Sequence, residues 1–160
     1  MEGLAVSVDL QKAFAGRRVL ITGHTGFKGS WLSLWLNQLG VNVYGLSLPN
    51  PVSNPNLFSV LELEQIVNES REDIIYMNNC SNTMKKAEPE IIFHMAALAR
   101  IQPSLKDPHK TIFNNFVSTL NILEYGRKND IKVVCAGSSS VHGGAYTNPY
   151  TFTKWQGDKL

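Results

Sequence analysis

The sequence predicts an α/β fold, a doubly wound parallel sheet covered by helices on both faces, and three observations carry that prediction. Short β-like runs alternate with helical stretches along the chain. A glycine-rich turn joins the first apolar run to the first helical one. A length of 160 residues, 43% hydrophobic and 18% charged, allows one sizeable core. The formal net charge of +2 comes from 15 basic and 13 acidic residues with no basic block, which argues against a nucleic-acid partner. The N-terminal stretch has no apolar run long enough for a signal peptide or a membrane span, so a cytoplasmic protein with no membrane partner is expected. Cys80 and Cys135 match neither a disulfide framework nor zinc-ligand spacing. Both read as packing residues in a reducing compartment, and no metal site is expected.

Taken in order, a short amphipathic helix over 8–14, with Leu10, Ala13 and Phe14 on one side, leads into the first strand. Strands are predicted at 18–22, 41–47, 65–69, 90–95 and 132–137, each rich in Val, Ile or Phe or bounded by turn residues. Helices are predicted at 30–39, near 80–87, at 108–128, and from about Tyr150 onward. In the first helix Trp31, Leu32, Trp35 and Leu36 read as core residues. In the long helix Ile112, Phe116, Leu120 and Leu123 recur at helical spacing, so that face is expected to pack on the sheet. Residues 48–58 are rich in proline and asparagine and form a loop after the second strand. The last helix has run only about ten residues at Leu160, so the sheet is expected to be C-terminally truncated.

Gly23, Gly26 and Gly29 form G-x-x-G-x-x-G between the first strand and the first helix. Such a turn supplies unusual backbone angles, lets main-chain N–H groups approach a pyrophosphate, and allows the helix to lie close on the sheet. The helix N-terminus then attracts the phosphates. This makes the sheet Rossmann-like, although glycine-rich turns of this kind also occur without a ligand. Strand two ends in "YGLSLP", with no acid to hold an adenosine ribose and no arginine for a 2′-phosphate, leaving NAD versus NADP open at this position. Ser47 and Tyr44 are candidate donors to the ribose there.

A second group of residues lies late in the chain, in "GSSSVHGGAYTNPYTFTK". Tyr150 and Lys154 are four apart at the start of a helix and share one face. An ammonium beside a phenol stabilises the tyrosinate, which is what a phenolic general base near neutral pH requires. The run 138–140 of three serines ends the fifth strand, where open α/β sheets bind ligands, so a hydroxyl there is a candidate partner for a substrate oxygen. His94 and His142 read as structural hydrogen-bonders.

These residues together resemble the extended short-chain dehydrogenase/reductase family, in its branch of nucleotide-sugar epimerases and dehydratases. "TGHTGFKGSWLSLWLNQLG" and "GLSLPNPVSNPNLF" are most similar to that branch's 4,6-dehydratases. "PEIIFHMAA" is similar to its strand-four signature, "NNFVSTLNILE" to its following helix and "NPYTFTK" to its active-site segment. The resemblance implies that residues 1–160 are the NAD-binding, N-terminal part of a larger enzyme whose substrate domain is absent here. It implies that Gly23, Gly26 and Gly29 hold the NAD pyrophosphate with Phe27 and Lys28 in the loop. Asp73 then contacts the adenine, Ala96 and Ala97 flank the cofactor, and Asn115 steadies the site. Ser138 becomes the catalytic hydroxyl, Tyr150 the base and Lys154 the ligand of the nicotinamide ribose.

The activity so implied is oxidation of a nucleotide sugar to a 4-keto intermediate by a homodimer, followed by dehydration or epimerisation. Three departures bear on it. Ser139 and Ser140 stand where dehydratases carry an acid, the loop before Asn148 is short, and His142 replaces a common tyrosine. The alternatives are a 4-epimerase or reductase, or a noncatalytic NAD-binding module if the chain ends at Leu160, where the isolated part is expected to be inactive.

Overall fold

The structure of the protein, a computed structural model, describes residues 9–141 and 148–160. The expectations for Val8 and His142, and for the side chain of Cys80, lie outside the described residues. Five strands are present: β1 (Arg18–Thr22), β2 (Asn42–Ser47), β3 (Asn68–Arg71), β4 (Ile91–His94) and β5 (Lys132–Cys135). The helices are α1 (Phe27–Gln38), α2 (Leu57–Val60), α3 (Met77–Ala87), α4 (Ile101–Lys106), α5 (Pro108–Asn129) and α6 (Pro149–Gly157).

All strand pairs are parallel and the order is β3-β2-β1-β4-β5. The chain winds outward from β1 to β3 and returns to the other edge of β1 as β4. The carboxyl ends of β1 and β4 therefore flank the point where strand order reverses, the position at which open sheets of this kind leave a crevice. Alternation along β1 divides the core. Val19 and Ile21 pack with Leu36, Val43, Phe58 and Leu63 on one face. Leu20 packs with Leu46, Met84, Ile92 and Ile122 on the other. No helix among the described residues is long and apolar enough to cross a membrane.

Several expectations change in detail. β3 starts at Asn68, not residue 65, because Leu63–Gln65 forms a 3-10 turn that buries Leu63 completely. The leading helix covers residues 9–14, where Leu10 and Phe14 pack on the core and Ala13 is exposed. Trp31 and Trp35 are each 50% exposed, since α1 meets the sheet through the small residues Gly29, Ser30 and Ser33 together with Leu36. The buried face of α5 is likewise small and polar, formed by Thr111, Asn115, Ser118, Thr119, Ile122 and Gly126. A side chain at Gly126 would strike Val133 at 2.5 Å, so close approach selects small residues there. Ile112, Phe116 and Leu123 are only half-buried and Leu120 is exposed, which leaves the apolar ridge facing outward. Cys135 is exposed on β5, one of the two edge strands among the described residues, and is not a packing residue.

Candidate active site

The turn after β1 is built by glycine where nothing larger fits. Gly23 adopts a φ of +72°, and a Cβ there would lie 2.8 Å from Cα of Ala96 at the end of β4. Its N–H donates to the Leu46 carbonyl at 2.7 Å, which locks the turn to β2. Gly26 caps α1, and a Cβ at Gly29 would overlap the carbonyl oxygen of Gly23. The first turn of α1, carrying the exposed Phe27 and Lys28, opens beside a cleft lined by Gly23, Gly26, Asp73, Ala96, Ala97 and Asn115. A bare backbone at the reversal point, a helix N-terminus and no side chain in the way are the features a dinucleotide pyrophosphate needs. Asp73 Oδ1 accepts the Ile75 N–H at 3.1 Å, holding the start of the following turn.

His24, which no motif of the sequence singled out, stands inside the glycine turn and is fully buried. Its Nε2 lies 2.8 Å from Glu69 Oε2, its Nδ1 lies 2.9 Å from Ser47 Oγ, and its ring meets Phe58 edge-on at 5.0 Å. Burial lowers its pKa, with the Glu69 carboxylate opposing. The signal for this residue was Gly45 within an otherwise bulky strand, because a Cβ there would come within 2.5 Å of the imidazole. Ser47 also accepts the Thr25 N–H at 3.3 Å, so its hydroxyl is committed to the turn rather than offered to the cleft. Tyr44 packs against the second core cluster.

His94 is structural, as expected. Thr22 Oγ1 accepts the Ala96 N–H at 3.3 Å and sits 2.7 Å from His94 Nδ1, so its hydroxyl proton points to that nitrogen. His94 Nε2 then donates to Thr119 Oγ1 at 3.2 Å, and Thr119 donates to the Asn115 carbonyl at 2.8 Å. One neutral tautomer satisfies the whole ladder from β1 to α5. Burial, with a smaller effect of the Lys154 ammonium, pushes the His94 pKa down to about 3.

The ladder ends on the residue that joins the two halves of the site. Asn115 accepts the Leu98 N–H at 2.7 Å, and its amide donates to the Leu98 carbonyl at 3.3 Å and to Thr153 Oγ1 of α6 at 3.0 Å. Helix α6 begins at Pro149, with Asn148 accepting the Thr151 N–H at 2.9 Å as its cap. Tyr150 stands half-buried in its first turn. One turn later Lys154 Nζ donates to the Ala136 carbonyl at 2.7 Å, beyond the end of β5. Burial lowers the Lys154 pKa most, Cys135 and Asp158 oppose, and the ammonium of Lys28 adds to the lowering. Ser138 Oγ lies 2.7 Å from Ser140 Oγ, which accepts from Thr151 Oγ1 at 3.2 Å. Serine, tyrosine and lysine thus stand on adjoining segments at the carboxyl edge of the sheet.

Residues 19–157 match a family described as the NAD dependent epimerase/dehydratase family. A CDP-glucose 4,6-dehydratase of Salmonella typhimurium is 41% identical over 109 residues, 68% of this chain and 30% of that protein. A UDP-glucose 4-epimerase of Neisseria gonorrhoeae is 30% identical over 145 residues, 88% of this chain and 42% of that protein. The chain therefore spans less than half the length of these relatives. Among solved structures, the UDP-glucose 4-epimerase of Bifidobacterium longum in complex with NAD+ and UDP superimposes with a TM-score of 0.79 at 23% identity, over 88% of this chain and 47% of that one. This likeness extends to the fold.

Proposed function

Since the chain belongs to the NAD dependent epimerase/dehydratase family, we propose that it forms the cofactor-binding and proton-transfer part of a nucleotide-sugar 4,6-dehydratase or epimerase, most like CDP-glucose 4,6-dehydratase. The observation that carries the reading is the docking of α6 on the sheet edge, through Lys154 to Ala136 and Thr153 to Asn115, beside the cleft of the glycine turn. Gly23, Gly26 and Gly29 would hold the pyrophosphate of NAD with Phe27 and Lys28 at the rim. Asp73 would face the adenine, with Ala96, Ala97 and Asn115 along the wall. When bound, NAD supplies a reversible hydride acceptor at the sugar C4.

Tyr150, as phenolate, takes the proton of the C4 hydroxyl as the 4-keto sugar forms. Lys154 would steady that phenolate by its charge and hold the nicotinamide ribose. Ser138 donates a hydrogen bond to the same sugar oxygen. The identity to a CDP-glucose 4,6-dehydratase favours loss of water from C6 as the next step. A 4-epimerase or reductase is the second reading, favoured by Ser139 and Ser140 standing where a dehydratase carries an acid, with the Ser140 hydroxyl tied to Ser138 and Thr151. The exposed Phe113 and Leu120 on α5 support a homodimer as part of the same reading, which is that of a cytoplasmic enzyme.

The test is turnover of CDP-glucose and UDP-glucose by the complete reading frame, with products read by NMR. A 4-keto-6-deoxy sugar identifies the dehydratase and a C4 epimer the epimerase. Tyr150→Phe should abolish either product while NAD binding persists. Retained turnover in that variant would refute the assignment of the base.

A further inference from the structure

The cleft lacks the acid that normally ends β2, and the carboxylates nearby are not equivalent. Glu69 is occupied by His24 at 2.8 Å and by Arg71 at 2.9 Å. Asp73 uses Oδ1 on the Ile75 backbone. Glu72 differs from both. Its N–H donates to the carbonyl of Ser47, the last residue of β2, at 2.7 Å, so the residue sits laterally beside the missing acid's position. Its side chain lines the cleft. The buried Thr83 of α3 donates to its Oε2 at 3.0 Å and fixes the carboxylate, while Oε1 bonds to none of the described residues.

We propose that Glu72 supplies, from the end of β3, the carboxylate that β2 lacks, accepting a hydrogen bond from the adenosine ribose and repelling a 2′-phosphate, so that the cleft selects NAD over NADP. Ser47 cannot take this part because its hydroxyl serves His24 and Thr25. No lysine or arginine lines the cleft among the described residues to offset the carboxylate. Arg71, the nearest guanidinium in sequence, is paired with Glu69 and lies over the Phe58 ring at 5.3 Å. Arg71 Nη1 is buried without a hydrogen bond but is not part of the cleft lining, so a phosphate brought up to Glu72 would meet a like charge at the cleft wall.

The inference rests on the dinucleotide reading of the cleft, and calorimetric titration of the 160-residue chain with NAD and with NADP separates the two. The chain is expected to bind NAD at least about 30-fold more tightly than NADP. Glu72→Gln keeps the shape and the Thr83 contact; it should weaken NAD about 10-fold, the scale of a lost charge-assisted hydrogen bond, and tighten NADP. Glu72→Ser should narrow the ratio similarly, with melting curves of both variants close to that of the parent. An unchanged ratio in both variants, or equal affinity of the parent for the two cofactors, overturns the role of Glu72. Binding of neither cofactor by the parent overturns the dinucleotide reading itself.

Discussion

Acidification should unfold this protein through one histidine under the floor of the cleft. His94 titrates near 6.5 in an unfolded chain and at about 3 in the folded one, chiefly because burial penalises the imidazolium. As pH falls through 6.5 the unfolded chain takes up a proton that the folded chain refuses until about 3. Stability from this group is therefore complete above 6.5 and is lost as pH falls toward 3. Between pH values of about 7.5 and 4 the two titrations differ by roughly 2.4 units, worth about 3 kcal/mol, a large share of the stability of a domain this size. The assay is urea denaturation at both pH values for the parent and for His94→Asn. The variant keeps an acceptor for Thr22 but loses the contact to Thr119, so it should be less stable at the higher pH. Its further loss on acidification should be about 3 kcal/mol smaller than the parent's. His24 and the pair formed by Glu124 with Arg127 titrate alike in both proteins and cancel in the comparison. Equal losses in the two proteins would refute the buried, neutral His94 and the hydrogen-bond ladder built on it.

Three further outcomes follow from the geometry. Gly29→Ala places a methyl on the Gly23 carbonyl and should cut NAD affinity by more than about 10-fold in calorimetry; near-parental affinity would show that the turn relaxes freely. Asn115→Ala strands the Leu98 N–H and frees Thr153, at a cost of about 1–3 kcal/mol in urea denaturation, and a cost near zero would deny it the bridging role. Leu120→Glu on the exposed ridge of α5 should convert a dimer to a monomer in light scattering, whereas an unchanged dimer would place the interface elsewhere.

The legible part of the fold lay in the strands and the glycine turn. β1 matches the predicted bounds because Val19, Leu20 and Ile21 form a fully buried run that only a central strand explains. The long helix also matches, from a proline at its first position to a positively charged last turn. Its orientation was not legible. Hydrophobic spacing pointed to Ile112, Phe116, Leu120 and Leu123, yet close approach and the needs of His94 selected Thr119, Asn115 and Gly126 for the inner face. The tryptophans of α1 misled in the same way, since a helix that reaches the sheet through glycine and serine turns its large residues outward.

The candidate site was legible as motifs rather than as wiring. Gly23, Gly26, Gly29, Tyr150 and Lys154 could be named from spacing and the serine run 138–140 from its place at a strand end, whereas Ser138 within that run was named only by the family resemblance. Nothing in the linear pattern showed that Asn115 holds both Leu98 and Thr153, or that Glu72 comes to lie beside Ser47. Such pairings depend on strand order, which brings residues 25 positions apart side by side at the reversal of the sheet, as Ser47 and Glu72 show.

The central claim is that the glycine turn and the helix of Tyr150 serve one cofactor, and a crystal structure of the chain soaked with NAD tests it most directly. The account predicts the pyrophosphate on the backbone of Gly26 and Phe27, with Lys154 Nζ and the Tyr150 hydroxyl within about 3 Å of the nicotinamide ribose. A dinucleotide bound with its nicotinamide ribose out of reach of both side chains would contradict it.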